Sequence, residues 1–437
     1  MKRLINLMAV GMAFVSSASF GAQYIIVHAG HLMAVPGEKV ATKQSIVIRD
    51  DKVLKVHSGY IDRDALTISQ EDSVQVIDLK NKYVLPGLID GHVHITDQLD
   101  SKNKLRRVEY SDPDTALFGA YNAKVMLDAG FTTVRDLGGR GGDAVFALRD
   151  AINNGFVEGP RIFAAGFVIS PTGGHGQRIG YRDEVFKVVN HSGVCDGVDD
   201  CRRVVRDQVR RTADQIKFVA TGGVLSEVAA GTGQQFFNDE IKAIVDTAHS
   251  LGRKVTAHAH NADGINAALR AGVDSIEHGT FANEESLTLF EETGAYLIPT
   301  LLAGATVSEI AMSKHSFFAP SVNEKALKVG PKLIETLSIA HERGIKIAFG
   351  TDSYVSKHGI NAREFQLLVE AGLTPVEAIQ TATVFGADNL GKSDELGTIE
   401  SGKFADIIAL DRDPSTDISA LMQVGFVMKE GRVFKSK

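Results

Sequence analysis

The chain has 437 residues, of which 44% are hydrophobic and 23% are charged, and this composition excludes disorder as its main state. Its formal net charge of -7, without a run of Lys or Arg, argues against a nucleic-acid-binding surface, which needs a concentrated basic patch. Two cysteines are too few for a disulfide framework, so the fold must depend on its hydrophobic core.

The first 22 residues have the pattern of an export signal. Lys2 and Arg3 precede an apolar stretch that runs to Val15, and small residues follow it. A charged start, an apolar middle and a small-residue end are typical of a cleaved secretory signal. The apolar stretch is shorter than the roughly 20 residues that a membrane span requires. We therefore predict a signal peptide at residues 1–22 and an exported protein, periplasmic or secreted, with no stable membrane span in the mature chain.

Export would place the two cysteines in an oxidising compartment. Cys195 and Cys201 bracket a short polar loop, and such a pair can close a small disulfide. Neither cysteine belongs to a CxxC motif. We predict a structural disulfide, with two free thiols as the alternative.

The two ends of the mature chain share one character. Residues 23–84 contain four short β-rich segments separated by glycine-containing turns. Residues 396–437 contain two more, followed by a hairpin tip at Glu430-Gly431-Arg432. This similarity predicts a single small β-sandwich domain that is assembled from both termini.

Residues 85–395 alternate between strand and helix patterns. Eight β-rich segments are separated mostly by helix-like stretches, at 84–94, 131–137, 161–169, 215–220, 254–260, 275–278, 295–301 and 345–349. Eight strand–helix units in about 300 residues predict an α/β fold of the (β/α)8 TIM-barrel type. A doubly wound open sheet is the alternative. No GxGxxG follows the first strand, which removes the usual dinucleotide-binding signature.

Metal-binding residue types stand at the ends of these strands. His92 and His94 end the first strand, and residues two apart on a strand point to the same side. Barrel active sites are built at the carboxyl ends of strands. Imidazole and carboxylate groups are the ligands expected for zinc or a similar divalent ion. The strand ends therefore predict a metal site, to which the later strands would add Lys217, His258, His260, His278 and Asp352.

Lys217 is unusual because it stands in an apolar segment between Ile216 and Phe218. A lysine that extends its charge to solvent is one interpretation. The other is an inward lysine, since burial lowers the pKa of the ammonium and favours the neutral amine. A neutral amine can react with CO2, and the resulting carbamate can bridge two metal ions.

On these residues the chain resembles the amidohydrolase superfamily with a binuclear metal site. Within it, the chain is most similar to the prolidase-like Xaa-Pro and Xaa-Arg dipeptidases and to the ochratoxin-type amidases. The resemblance covers nearly the whole mature chain, and its motifs lie at 86–94, 172–176, 215–217, 221–224, 257–260 and 350–353. It implies two divalent ions, with zinc expected. One would be bound by His92, His94 and Asp352, the other by His258 and His278, with carbamylated Lys217 between them.

The resemblance also implies a reaction, the hydrolysis of an amide bond in dipeptides or N-acyl amino acids. Two metal ions that share a water lower its pKa enough to hold a bridging hydroxide near neutral pH. Asp352 would act first as the general base and then as the acid that protonates the departing amine. His175 and His260 are expected to face the substrate at its terminal carboxylate, and for His260 a hydrogen-bonding role behind the ligands is an equal alternative.

Other functions remain open at this stage. A cyclic-amide hydrolase or deaminase is the nearest alternative. Mononuclear deaminases of the superfamily usually carry a Glu soon after the fifth-strand histidine and lack the lysine, whereas here the first acid after His258 is Asp263. A lactonase or phosphotriesterase would use the same ligands. A non-catalytic metal-binding protein would typically have lost one of them. The expected partner is a small-molecule substrate, and the oligomeric state stays open, including a homo-oligomer.

Overall fold

The computed structural model describes residues 22–139, 142–177, 180–189, 193–226 and 231–436. The predicted signal peptide lies outside these residues, except for Ala22. In chain order, the strands β1 to β14 are Gln23–Leu32, Ala41–Arg49, Lys52–Ser58, Ser73–Pro86, Leu88–Val93, Phe131–Asp136, Arg161–Ala164, Ile216–Val219, Val255–Asn261, Ser275–Phe281, Tyr296–Ile298, Ile407–Leu410, Phe426–Lys429 and Arg432–Ser436. The helices α1 to α13 are Asn103–Glu109, Asp112–Asp128, Gly142–Asn153, Asp183–Val189, Val198–Arg210, Asn238–Ser250, Ala262–Ala271, Glu284–Thr293, Leu301–Met312, Pro320–Glu342, Arg363–Glu370, Pro375–Thr381 and Val384–Leu390.

The two ends of the chain share one sheet. Its strand order is β14-β13-β12-β4-β1-β2-β3, so β12 from the C-terminal segment pairs with β4 from the N-terminal segment. The last hairpin turns at Glu430 and Gly431, whose φ values of 51° and 73° are the left-handed pair that a two-residue type I′ turn requires. The seven strands are joined edge to edge. The two-layered sandwich and the domain boundaries at 84 and 396 stay predictions.

The parallel strands form the second part of the fold. A three-stranded sheet pairs β5, β6 and β7, and a four-stranded sheet pairs β8 to β11. One isolated parallel bridge, between Ile169 and Phe218, joins the two sheets. Further bridges join Leu297 to Ile347, and Ser353 to Val93 of β5. Pairing therefore passes from β5 through β11 and returns to β5 by way of residues 347–353. The mixed α/β class predicted from the sequence is confirmed.

Close backbone approach brings residues 349–353 against β5. The amide of Gly91 donates to the carbonyl of Phe349 at 2.8 Å, and the amide of Asp352 donates to the carbonyl of His92 at 2.7 Å. A Cβ atom on Gly91 would lie 2.7 Å from the Phe349 carbonyl oxygen, and one on Gly350 would lie 2.9 Å from the His92 Cβ. Only glycine allows this approach at both positions, and it places Asp352 beside His92.

The strand bounds differ from the predicted ones at three places. The predicted first segment divides between β4, which ends at Pro86, and β5. The predicted third strand ends at Ala164 instead of residue 169, because Gly166 has a φ of 77° that interrupts the extended chain. The predicted eighth strand pairs only through the isolated bridges described above. These shifts are of the size expected where periodicity continues past a turn.

Two further sequence predictions have an outcome in the fold. Cys195 and Cys201 are joined by a disulfide and both are fully buried, which confirms the predicted pairing. Across the described residues, no helix combines the length and the apolar character that a membrane crossing needs.

Candidate metal centre

The predicted site residues lie together although they are far apart in the sequence. One cavity of about 240 Å³ opens at the carboxyl ends of the parallel strands. All eight predicted residues line it, namely His92, His94, His175, Lys217, His258, His260, His278 and Asp352.

His92 and His94 project from the end of β5 toward Asp352. The Nε2 atoms of His92 and His94 lie 3.5 and 3.1 Å from Oδ1 of Asp352. The other ring nitrogen of each histidine is engaged behind the site. Nδ1 of His94 donates to the carbonyl of Gly138, and Nδ1 of His92 lies 2.8 Å from Oε2 of Glu277. These contacts aim both Nε2 atoms into the cavity, as metal-binding histidines require.

A second group of imidazoles faces the first across the cavity. The ligand atoms of His258, His260 and His278 all lie within 4.8 Å of one another, as do those of His92, His278 and Asp352. Nδ1 of His260 is 2.7 Å from the Thr280 hydroxyl, and Nδ1 of His278 is 2.6 Å from that of Thr300. His260 therefore belongs to the imidazole cluster itself, whereas the resemblance implied a place facing the substrate or behind the ligands.

Lys217 lies at the floor of the cavity. Only 3% of the residue is exposed, and within the described residues its Nζ atom has no hydrogen-bond partner. Burial lowers the pKa of this ammonium to about 8, although the carboxylate of Glu277 acts in the opposite direction. An unpartnered buried amine is costly, and the interpretation of Lys217 as a solvent-seeking lysine does not fit this position.

For His92, His260 and Asp352 the electrostatics of the cavity favour the protonation states that bind cations. For His94, burial lowers the pKa but the Asp352 carboxylate outweighs it, and the net shift is upward. Burial lowers the pKa of His92 to about 4 and that of His260 to about 3, so these imidazoles are neutral near pH 7. Burial raises the pKa of Asp352, but the interactions with His92, His94 and Lys217 outweigh it, and the net shift is downward. Neutral imidazoles and an ionised carboxylate are the forms that divalent metals need.

Three residues of the site have a left-handed backbone. The φ values are 72° at His278, 51° at Thr300 and 53° at Asp352. Residues other than glycine rarely adopt this conformation, and it concentrates at functional sites. At His278 it breaks the normal alternation of side chains, so Glu277 and His278 both reach the interior from adjacent positions.

Glu277 and Arg135 are functional candidates that the sequence analysis did not select. Glu277 is fully buried, and its Oε1 accepts from Nη2 of Arg135 at 2.6 Å while its Oε2 faces His92. Nε of Arg135 donates to the carbonyl of Gly91 at 2.5 Å. A charged residue in each of two apolar strands, at Thr133-Val134-Arg135 and Ser275-Ile276-Glu277, was the available signal.

Asp90 joins the two segments that carry the first group of ligands. Its Oδ2 accepts from the Thr351 hydroxyl and from the Asn361 amide, both at 2.7 Å. Its Oδ1 accepts from the backbone amides of His92 and Thr351, both at 3.1 Å. Burial raises the pKa of Asp90 to about 6 in spite of these bonds. The network holds the end of β5 against residues 351–353.

His175 reaches the cavity from the loop that follows β7. Its ring packs on that of His258 with 4.4 Å between centroids, and its amide donates to Oε1 of Gln235 at 2.9 Å. Nδ1 of His175 also contacts the Ser226 hydroxyl. His175 thus adjoins the imidazole cluster.

The chain belongs to the amidohydrolase family, whose sequence pattern it matches over residues 83–434. Ochratoxinase from Aspergillus niger is 32% identical over 443 residues, which cover 95% of this chain and 87% of ochratoxinase. A crystal structure of a Xaa-Pro dipeptidase with methionine bound in its active site has 40% identity and a TM-score of 0.87, covering 94% of this chain and 100% of that one. A prolidase complexed with N-methylphosphonate-L-proline has 30% identity and a TM-score of 0.83, covering 95% and 100%.

These relationships confirm the predicted resemblance to the prolidase-like and ochratoxinase-like amidohydrolases. The protein is a metal-dependent amidohydrolase, an enzyme that hydrolyses an amide or peptide bond.

Proposed function

We propose that this enzyme releases an amino acid from dipeptides or N-acyl amino acids at a two-metal site on a closed (β/α)8 barrel. The observation that carries the proposal is the convergence of four imidazoles and the Asp352 carboxylate around the unpartnered Nζ of Lys217. The return of strand pairing from β11 to β5 supports closure of the barrel. The relatives named as a Xaa-Pro dipeptidase, a prolidase and ochratoxinase support the class of substrate.

The residues fit two divalent ions. His92, His94 and Asp352 would hold one ion, and His258 and His278 the other, with His260 close enough to the second group to contribute. A carbamate on Lys217 would give the orphaned nitrogen a carboxylate that reaches both groups. Zinc is the expected metal because nitrogen and oxygen ligands of this kind suit it, and manganese and cobalt accept the same ligands.

When bound, two such ions activate a water molecule and polarise the scissile carbonyl. Asp352 lies where it can take the proton of the attacking water, because its Oδ1 faces the cavity between His92 and His94. The same carboxyl group then returns the proton to the departing amine, which cannot leave as an anion.

The decisive experiment measures amino-acid release by the metal-loaded protein from a panel of dipeptides and N-acyl amino acids. We expect Asp352→Asn to lower the rate by about 100- to 10,000-fold, the range for loss of a general acid–base group. The matched control is Asp263→Asn, an exposed carboxylate near the fifth-strand histidine, and it should leave the rate unchanged.

Each outcome of this experiment is informative. Release that persists in Asp352→Asn would contradict the role of Asp352. A selective loss in Asp263→Asn would favour a deaminase arrangement. If the wild-type protein binds two metals and releases nothing, the proposal is overturned, and lactones, phosphotriesters and deamination substrates become the next candidates.

We also propose that Lys217 is carbamylated in the active protein. The buried position of its Nζ and its lowered pKa support the neutral amine that reacts with CO2. Metal-loaded wild-type protein prepared in 13C-bicarbonate should show a 13C signal from the carbamate carbon. Lys217→Met prepared in the same way should not show it. Equal signals in the two proteins would contradict the modification.

Export to the periplasm or the exterior completes the proposal. The signal-like pattern of residues 1–22 supports it, as does the disulfide between Cys195 and Cys201, because disulfides persist in oxidising compartments. Amino-terminal sequencing of the protein from a cell fraction outside the cytoplasm should begin near residue 23. Recovery of an intact Met1 in the cytoplasm would contradict export.

A further inference from the structure

We propose that Arg107 and Tyr354 form an anion-binding subsite that holds a carboxylate of the substrate beside the metal centre. The inference rests on the proposed function, because it concerns the substrate of the same cavity. It adds a recognition element that lies outside the histidine cluster and that the sequence motifs do not contain.

Arg107 lies on α1, which follows β5, and it lines the cavity. In the part of the chain that the structure describes, its guanidinium makes no ion pair. Its one hydrogen bond runs from Nη2 to the Tyr354 hydroxyl at 3.4 Å. Its Nε is buried without a hydrogen-bond partner. The guanidinium of Arg107 therefore has donors to offer to a ligand.

Arg106, the neighbouring residue on α1, shows the contacts of an arginine with a structural role. Nη1 of Arg106 is paired with Asp100 at 2.9 Å, and its Nη2 donates to the carbonyl of Gln98 at 2.6 Å. Arg106 anchors α1 to the loop before it, although its Nε, like that of Arg107, is buried without a hydrogen-bond partner. The Nη atoms of Arg107 have no comparable anchor, so its half-buried position at the cavity wall lacks an explanation within the fold.

Tyr354 connects this arginine to the reacting centre. It follows Asp352 by two residues, and its ring meets that of His94 edge to face with 5.8 Å between centroids. A group bound by Arg107 and the Tyr354 hydroxyl would thus adjoin the side of the centre formed by His94 and Asp352.

The chemistry of the two side chains selects a carboxylate. A guanidinium presents a planar fork of donors that matches the two oxygens of a carboxylate, and the paired bonds are strong because both partners are charged. A phenol hydroxyl can donate to the same anion. The histidines are worse placed for this task, since His175 and His260 pack directly on the rings of His258 and His278 and use their Nδ1 atoms within the protein.

The carboxylate could lie on either side of the scissile bond. It would be the α-carboxylate of the amino acid released, or an acidic group on the acyl portion. Non-hydrolysable ligands separate these sources. One probe is an N-alkyl amino acid with its only carboxylate on the amine side. A second is an oxo acid in which a ketone replaces the scissile amide and the only carboxylate lies on the acyl side, and each probe is paired with its neutral carboxamide.

The test is calorimetric binding of these four ligands to the metal-loaded wild-type protein and to Arg107→Gln. We expect Arg107→Gln to weaken binding of one acid about 10- to 100-fold and to leave its carboxamide unchanged, as loss of a charged hydrogen bond predicts. Arg107→Lys should give an intermediate loss, because it keeps the charge without the fork. Lys104→Gln, which removes a cation from the same helix and the same cavity wall, is the matched control and should change binding less than about threefold.

The acid whose binding is weakened by Arg107→Gln identifies the side of the scissile bond on which the substrate carries its carboxylate. Equal losses for an acid and its carboxamide, or no loss for either acid, would overturn the subsite. Failure of the wild-type protein to bind either acid would also overturn it. Absence of turnover on the whole amide panel would instead contradict the proposed function, and the binding measurement stays interpretable in that case.

Discussion

Glu277 orients His92, one of the expected metal ligands, and is not expected to bind a metal itself. Its carboxylate lies between the imidazole of His92 and the guanidinium of Arg135, and all three side chains are nearly inaccessible to solvent. A carboxylate at Nδ1 holds the proton on that nitrogen and leaves Nε2 free for a metal. Burial raises the pKa of Glu277, but Arg135 and His92 outweigh it and the net shift is strongly downward. The carboxylate is therefore ionised near neutral pH.

We expect Glu277→Gln to lower metal affinity by about 10- to 100-fold, because an amide cannot orient and polarise His92 as a carboxylate does. Competition with a chromophoric chelator measures this affinity without any substrate. Asp406→Asn is the matched control, since Asp406 is also a nearly buried carboxylate paired with an arginine, Arg161, but far from the cavity. It should lose stability and keep its metals. Unchanged affinity in Glu277→Gln would refute the orienting role.

At the scale of elements, α9 is held to the site through its first turn. It begins directly after Thr300, whose hydroxyl contacts His278. The carboxylate of Glu364, from α11, accepts from the amides of Leu301 and Leu302 at 2.9 and 2.6 Å. These are two of the amides that a helix leaves unpaired at its start. One helix thus caps another and fixes the residue that orients a site histidine.

Glu364 predicts a pH dependence of stability. Burial raises its pKa in the folded protein to about 8, from an ordinary value of 4.5. Between these values the folded state binds a proton that the unfolded state has lost, so this contribution to the free energy of unfolding is present below about pH 4.5 and is lost as the pH rises toward 8. We therefore expect the free energy of unfolding of the wild type, measured by denaturant unfolding, to fall relative to that of Glu364→Gln as the pH rises from about 4.5 to about 8. A constant difference would contradict the prediction.

On the scale of the whole molecule, Arg161 joins the parallel strands to the terminal sheet. It leaves β7 and pairs with Asp406 at 2.9 Å and Glu430 at 2.5 Å, and its guanidinium lies 4.4 Å from the ring centroid of Phe404. Lys429 adds a hydrogen bond to the carbonyl of Gly159 at 3.0 Å. The C-terminal segment of the terminal sheet is therefore held against the part that carries the metal ligands.

Arg161→Met should lower the free energy of unfolding by about 3 kcal/mol, because it leaves the nearly buried Asp406 carboxylate without its partner. Thermal and denaturant unfolding measure this loss, and metal content should be unchanged in the folded variant. The control is Arg210→Met, whose pair with Asp207 is largely exposed and is worth at most about 1 kcal/mol. Equal effects of the two substitutions would show that the contact between the two parts contributes little.

The sequence by itself determined the α/β class and the residues that meet in the cavity. Strands and helices differ in the period of their hydrophobic residues, and this period predicts the class. The His-x-His pair and the lysine in an apolar strand are local patterns that can be recognised from neighbouring residues alone. The resemblance to the amidohydrolases, which the family match confirms, predicted the reaction. Strand bounds were accurate to within one residue for β6, β8 and β9, and failed after Gly166, after Ile298 and in the segment that closes against β5.

Only the tertiary structure decided which side chains support the ligands. His278 reaches the cavity beside Glu277 because its left-handed backbone breaks strand alternation, and no local pattern predicts that conformation for a histidine. Arg106 and Arg107 are adjacent and chemically identical, yet one is paired within the protein and the other faces the cavity. Such differences depend on contacts between residues distant in sequence, such as Arg107 and Tyr354, because partner distances and burial exist only once the chain has folded.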